Sequence, residues 1–187
     1  KLEPTPANLE SFVRATETLN NYAAYNDSMK VLTAIENAYE GQLDQEDEIN
    51  ILSLKSEINI SLGKGDEAAK NLEELLRRDP FNARALLSLA RYYGDLEPDS
   101  SLDDIQQDTM RNRYQQTALI YYERAQDLDD DQARVRAYIG EAQLRVQRDE
   151  LQKAADLLEQ AQTISYQDTV QAYLNQIRDV LKNRRRS

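Results

Sequence analysis

Four stretches of the sequence repeat one spacing, in which a small residue is followed by a second residue four positions later and by a third three positions after that. The four triads are Ser28-Leu32-Ile35, Ala68-Leu72-Leu75, Ala118-Tyr122-Ala125 and Ala154-Leu158-Ala161. Residues spaced in this way lie on one face of an α-helix. Each triad therefore predicts a helix that buries this face.

A second series of small residues precedes the triads. It consists of Thr16, Ser56, Ala90 and Gly140. Two antiparallel helices pack closely only where their crossing point lacks bulk. The series therefore predicts a first helix that pairs with each triad helix, and enlarging Gly140 to Leu is expected to destabilise its hairpin by about 1–3 kcal/mol. Ser56 and Ala90 are 34 residues apart, and the other two steps are 40 and 50 residues.

The stretch from Leu62 to Pro80 contains the clearest helix boundaries. Gly63 and Gly65 are predicted to end one helix and form a tight turn, because glycine reaches positive φ without a Cβ penalty. Pro80 prevents the next helix from continuing. The preceding segment, 49–62, fits both a helical and a period-two pattern, but fourteen residues without Gly or Pro favour a helix.

This stretch, with its closing Asp79-Pro80, resembles the second helix of a tetratricopeptide repeat. The resemblance implies an all-α fold, a right-handed α-α superhelical solenoid of about four helical hairpins with a C-terminal capping helix. The implied divisions are a linker stub at 1–5, repeats at about 6–42, 45–80, 81–130 and 131–168, and a capping helix with a basic tail at 169–187. The stub is expected because the chain begins at Lys1 without Met.

Residues 95–113 form an insertion that a minimal repeat does not explain. Ser101 and Asp104 resemble a capping box, which predicts a helix of some 27 residues from Leu102. A mobile acidic loop is the alternative. The sequence leaves both open.

Composition limits the chemistry. The chain has no Cys and no His, which excludes disulfides, zinc sites with those ligands and imidazole catalysis.

A net charge of −11 argues against nucleic acid as a partner, and no apolar run is long enough to span a membrane. We expect no enzyme activity, no cofactor and no metal; catalysis would need a pocket with paired carboxylates. The lack of Cys fits a bacterial protein outside the cytoplasm.

The resemblance also implies a concave groove, lined by the first helices, that holds a peptide or a partner protein. The implied groove residues are Glu17, Asn50, Ser53, Glu57, Arg84, Leu87, Arg91, Arg134, Glu141 and Arg145, together with Val13, Asn20 and Ala137. The four arginines are a candidate carboxylate-binding region. The alternative is that they pair with Glu141 and nearby aspartates.

Two functions follow as hypotheses. The first is a non-catalytic scaffold that binds a peptide or partner protein in the groove. The second is a self-associating structural module within a larger protein, a possible homo-oligomer that associates through the tyrosine-rich third repeat or its insertion. A generic four-helix bundle would not explain the repeated triads.

Overall fold

A computed structural model describes residues 6–184, and this part of the chain contains nine α-helices and no strand. The helices are α1 (Pro6–Asn21), α2 (Tyr25–Ala38), α3 (Gln45–Ser61), α4 (Gly65–Arg78), α5 (Ala83–Asp95), α6 (Asp104–Gln126), α7 (Asp131–Gln147), α8 (Leu151–Ile164) and α9 (Asp168–Arg184). The all-α prediction is confirmed. The predicted stub and the end of the basic tail lie outside the described residues.

The chain divides into two compact units, Lys1–Ala85 and Leu86–Ser187. In the first unit, α1 packs against α2 and α3 against α4. Its core is aliphatic, with Leu32, Ile35 and Ile58 almost completely buried. In the second unit, α7 packs against both α6 and α8.

Helix α9 covers the apolar face of α8. Val170, Leu174 and Ile177 are buried in one cluster with Leu151 and Leu158 of α8. Helix α9 therefore packs on α8 through this cluster, and its role as a capping helix stays a prediction. The helix begins at Asp168, one residue before the predicted start of the capping helix at residue 169.

The turns α1–α2, α3–α4 and α7–α8 share one backbone conformation. Ala23, Gly63 and Asp149 have φ of 58°, 71° and 60°. The residue that follows each of them is the helix N-cap, with φ between −82° and −92° and ψ between 51° and 66°. Its N–H donates to the carbonyl five residues earlier, at 2.9, 2.8 and 2.8 Å respectively. Three hairpins therefore close in the same way, although only one has glycine at the left-handed position.

All twelve residues of the four triads are at most 9% exposed, which confirms the predicted helix face. Thr16 lies twelve residues before Ser28, and Ser56 lies twelve before Ala68. In α7 the same distance before Ala154 leads to Ala142, which is fully buried, whereas Gly140 is partly exposed. The predicted equivalence of Gly140 with Thr16 and Ser56 is therefore wrong by two residues, and Ala142 takes that position.

The insertion consists of a short non-helical segment followed by the start of a long helix. Residues 96–103 are not helical, and α6 begins at Asp104 and runs for 23 residues. A capping box is present, but Asp103 and Gln106 form it rather than Ser101 and Asp104. Gln107 Nε2 donates to the Leu102 carbonyl at 2.7 Å, so the loop folds back on the helix start.

Two smaller expectations are also resolved. Residues 49–61 all belong to α3, which confirms the helical reading of this segment. Gly65 does not have positive φ and is the first residue of α4, so Gly63 alone supplies the left-handed turn.

Candidate partner-binding surface

The predicted groove residues of the first unit lie on α1, α3 and the start of α5. Glu17 and Asn50 are exposed, and Ser53 and Glu57 are half-buried. Arg84 is exposed and forms an ion pair with Glu57. These side chains are at least partly accessible to solvent, but Arg84 and Glu57 are already paired with each other.

On the part of α5 that belongs to the second unit, Leu87 is half-buried and Arg91 is exposed. Arg91 forms no ion pair with any residue that the structure describes. Asp95, one helical turn further along α5, is also exposed and has no such partner. This end of α5 therefore presents a cation and an anion to solvent.

The shifted register of α7 changes the predicted surface there. Counting from Ala142 instead of Gly140 replaces Arg134, Ala137 and Glu141 by Arg136, Ile139 and Gln143. The equivalent positions of the four first helices are Glu10, Asn50, Arg84 and Arg136, then Val13, Ser53, Leu87 and Ile139, then Glu17, Glu57, Arg91 and Gln143. Glu10, Asn50, Arg84 and Arg136 are exposed, and Val13, Ser53, Leu87 and Ile139 are half-buried. In the third set, Glu17, Arg91 and Gln143 are exposed and Glu57 is half-buried. Ala137 and Glu141, by contrast, are buried.

Glu141 is part of a buried polar network rather than of an exposed surface. Its carboxylate accepts from Arg145 Nε and Nη2 at 2.9 and 2.7 Å and from Gln126 Nε2 of α6 at 2.6 Å. The Glu141 residue is only 4% exposed. Buried charges persist in proteins when they are paired and hydrogen-bonded in this way.

The network continues through Glu150 at the α7–α8 turn. Glu150 contacts Arg145, Arg148 and Lys153 at 2.9, 2.9 and 2.8 Å. Arg148 also donates to Gln115 Oε1 at 3.0 Å, which links the turn to α6. The sequence analysis did not single out Glu150, although the cluster of charged residues at 145–153 could have indicated it.

Pairing shifts the acid–base behaviour of this network. Hydrogen bonds from Lys153 and Arg148, with the charge of Arg145, lower the pKa of Glu150 from 4.5 to about 2. Burial tends to lower the pKa of Arg145, but the hydrogen bond and charge of Glu141 and the charge of Glu150 outweigh it and raise that pKa. Both side chains therefore stay charged at neutral pH.

Pairing accounts for three of the four predicted arginines. Arg84 pairs with Glu57, Arg134 pairs with Asp131 at 3.1 Å, and Arg145 pairs with Glu141 and Glu150. Only Arg91 among them lacks an ion pair within the described residues. The hypothesis of a four-arginine carboxylate site is wrong in this form, because Arg145 is held inside the fold.

Tyr122 of α6 reaches the backbone of α7 at Gly140. A Cβ atom at Gly140 would lie 2.6 Å from Cζ and 2.7 Å from the hydroxyl of Tyr122, so this ring position requires glycine. Burial raises the pKa of Tyr122, the carboxylates of Asp95 and Glu141 raise it further, and Arg91 acts in the opposite direction. The hydroxyl therefore lies within the electrostatic influence of α5 and α7.

The tyrosines of α5 and α6 contact one another. Tyr93 stacks on Tyr121 with centroids 5.9 Å apart, and Tyr92 meets the Tyr93 ring edge-on at 5.1 Å. Arg124 lies over Tyr121, 5.8 Å from the ring centroid. Much of the surface of these rings is thus used within the second unit.

The described residues contain no group of three or more acidic side chains placed to hold a metal ion. None of the described helices combines the length and the apolarity that crossing a bilayer requires.

Comparisons of the chain with protein-family models, with curated proteins and with solved structures give no match.

Proposed function

We propose that this chain is a non-catalytic protein-binding module of four tetratricopeptide-like hairpins. The hairpins would stack as a right-handed superhelix with α9 as the capping helix, and a peptide or partner protein would bind along the first helices. The supporting observation is that three hairpins share one turn conformation and one twelve-residue spacing, with the triads of all four buried. Hairpins that repeat in this way bury their apolar faces against neighbours.

The twelve equivalent surface positions support binding along the first helices. In each first helix the first of these positions is exposed and the second is half-buried, while the small residue at the predicted helix crossing, Thr16, Ser56, Ala90 or Ala142, is buried. A half-buried apolar residue beside exposed polar ones, such as Leu87 beside Arg91 or Ile139 beside Gln143, suits a peptide ligand. Apolar contacts contribute affinity and the polar groups fix the ligand's orientation.

A selection from a displayed library of random twelve-residue peptides tests this function with the whole chain. The affinities of synthesised winners are then measured for the wild type and for the triple variant Arg84→Glu, Arg91→Glu, Arg136→Glu. The matched control is Lys70→Glu, Arg113→Glu, Lys182→Glu, which changes the net charge equally at exposed positions elsewhere. We expect at least a tenfold loss for the first triple variant and less than a twofold change for the control.

Equal affinities of the two triple variants would reject the proposed surface. Failure to enrich any peptide would reject peptide binding itself. Circular dichroism spectra serve as the folding control, and the spectrum of every variant must match that of the wild type.

Self-association is the second candidate, and the exposed apolar side chains favour it. Ile105 is 80% exposed at the start of α6, and Phe81 is 78% exposed between α4 and α5. Sedimentation across a concentration series, with Ile105→Ser and Phe81→Ser, tests this candidate. A wild type that stays monomeric at every concentration excludes it.

A further inference from the structure

Three helices of the second unit bring polar groups together around Tyr122. Tyr93 stacks on Tyr121, and a Cβ at Gly94 would lie 3.8 Å from Ala118 Cβ, so the end of α5 packs beside this part of α6. The Tyr122 ring in turn rests on Gly140 of α7. Asp95 ends α5, and Arg91 lies one turn before it.

The polar groups at this point are not used inside the fold. No side-chain hydrogen bond joins the Arg91 guanidinium, the Asp95 carboxylate or the Tyr122 hydroxyl to another described residue. Arg91 and Asp95 are exposed, whereas Tyr122 is 9% exposed; the charge of Asp95 raises the pKa of Tyr122 and that of Arg91 lowers it. Gln143, at the α7 position equivalent to Arg91, is exposed as well.

The chemistry of this set discriminates between ligand classes. A carboxylate would gain hydrogen bonds from Arg91 and Tyr122 but would be repelled by Asp95. A guanidinium or ammonium group would gain Asp95 and be repelled by Arg91. An amide has one donor and one acceptor side and no net charge, so it meets Arg91 with its carbonyl and Asp95 with its N–H. The hydroxyl of Tyr122 can serve either side.

We propose that Arg91, Asp95 and Tyr122 form a subsite for an amide group of an extended partner segment, with a main-chain amide as the ligand. The inference rests on the function proposed above and specifies its partner: recognition at this point depends on the backbone of the ligand and not on its charges. An Asn or Gln side chain carries the same chemistry, and the experiment separates the two sources.

The test uses a peptide from the display selection that binds the wild-type chain. Its affinity is measured for Arg91→Met, Asp95→Ala and Tyr122→Phe, with Arg113→Met, Glu123→Ala and Tyr138→Phe as controls. The variants at Arg91 and Asp95 should each weaken binding about tenfold, and Tyr122→Phe about threefold, because hydrogen bonds to charged groups are the stronger ones. The controls should stay within twofold of the wild type.

Changes in the peptide identify the atoms that are recognised. N-methylation of each main-chain amide in turn should give one position with a loss of about tenfold, and that loss should disappear in Asp95→Ala. Replacing Asn and Gln of the peptide by Ala should leave the affinity within twofold. The losses in Arg91→Met and Asp95→Ala should change by less than threefold between 50 and 300 mM salt, because no net charge is paired at the subsite.

Four results would overturn the inference. An acidic or a basic residue shared by all selected peptides, whose replacement by Ala removes binding, would show a charged ligand. A loss confined to Asn or Gln replacement would show a side-chain amide. Unchanged affinity in all three variants would place the ligand elsewhere while leaving the proposed function intact. Enrichment of no peptide would remove the proposed function and this subsite together.

Discussion

The hairpin α3–α4 of the first unit and the hairpin α7–α8 of the second share a turn and a spacing but bury different chemistry. In α3, Ser56 is 1% exposed and its hydroxyl donates to the Leu52 carbonyl of its own helix at 2.7 Å. In α7, Ala142 takes that position, and Glu141 beside it is buried in a network that reaches α6 and α8. The comparison indicates that hairpin geometry depends on a small residue and a left-handed turn, which leaves the neighbouring position free to carry a buried charge.

The largest effect should come from removing the buried carboxylate. Glu141→Ala should lower the free energy of unfolding by about 3 kcal/mol, because it removes the partner of Gln126 and one of the two carboxylates that pair with Arg145. Urea denaturation measures the loss. The matched change in the first unit, Glu57→Ala, removes a half-buried partner of the exposed Arg84 and should change stability by less than about 1 kcal/mol. Similar losses in both variants would contradict the contrast drawn between the two hairpins.

The next effect concerns the glycine under the Tyr122 ring. Gly140→Ala should destabilise the chain by about 1–2 kcal/mol, because the new methyl group overlaps the ring and this outweighs the better helix propensity of alanine. Gly94→Ala is the control within the same unit. Its Cβ would meet Ala118 at an ordinary 3.8 Å, so we expect a gain of about 0.5 kcal/mol. Thermal unfolding of both variants should give shifts of opposite sign.

A smaller effect should appear in acid. Because the pKa of Glu150 is lowered from 4.5 to about 2, its contribution to stability is complete above pH 4.5 and is lost as the pH falls towards 2. The shift corresponds to at most about 3 kcal/mol, and screening at this partly exposed turn should reduce it to about 1 kcal/mol. Glu150→Gln should be less stable than the wild type at pH 7 and nearly equal to it at pH 2, as measured by urea denaturation at each pH.

The smallest effect should be that of the hydroxyl in the first unit. Ser56→Ala removes only a hydrogen bond within α3 and leaves its acceptor, the Leu52 carbonyl, in the helical backbone. The free energy of unfolding should change by less than about 0.5 kcal/mol, since alanine is also the better helix former. A loss above 1 kcal/mol would show that the hydroxyl has a role in packing that its hydrogen bond does not reveal.

The elements of the fold could be predicted from the sequence because they depend on local spacing. The triads fixed which face of each second helix is buried, and length assigned residues 49–61 to a helix. The predicted register of α7 failed because Gly140 and Ala142 are both small, and composition alone does not say which of them faces the partner helix. The position of the α7–α8 turn determines which of the two faces the partner helix. The residue with positive φ in that turn is Asp149, so a search for glycine does not find the turn.

The candidate surface was less predictable for a related reason. Whether Arg145 faces solvent depends on Glu150, which follows in the turn, and on Gln126 of α6, which holds the shared partner Glu141. The helical periodicity of α7 alone predicts neither the contact of Arg145 with Glu150 nor that of Glu141 with Gln126. The exposure of Arg91 could be predicted because it follows from the face of α5 alone, and the burial of Tyr122 follows in the same way from the spacing along α6.

The length of α6 has a practical consequence for engineering. Ala118 follows Ala90 by 28 residues, sixteen more than the twelve that separate the matching residues of the other hairpins. Within these sixteen residues, Arg111 forms an ion pair with Glu97, and Asp103 caps the start of α6. A deletion of that size, rejoined through a Gly63-type turn, would bring Ala118 to the twelve-residue distance from Ala90 that separates the other matching residues. We expect this segment to tolerate replacement by other sequences, because its ion pair and its helix cap join residues within the segment.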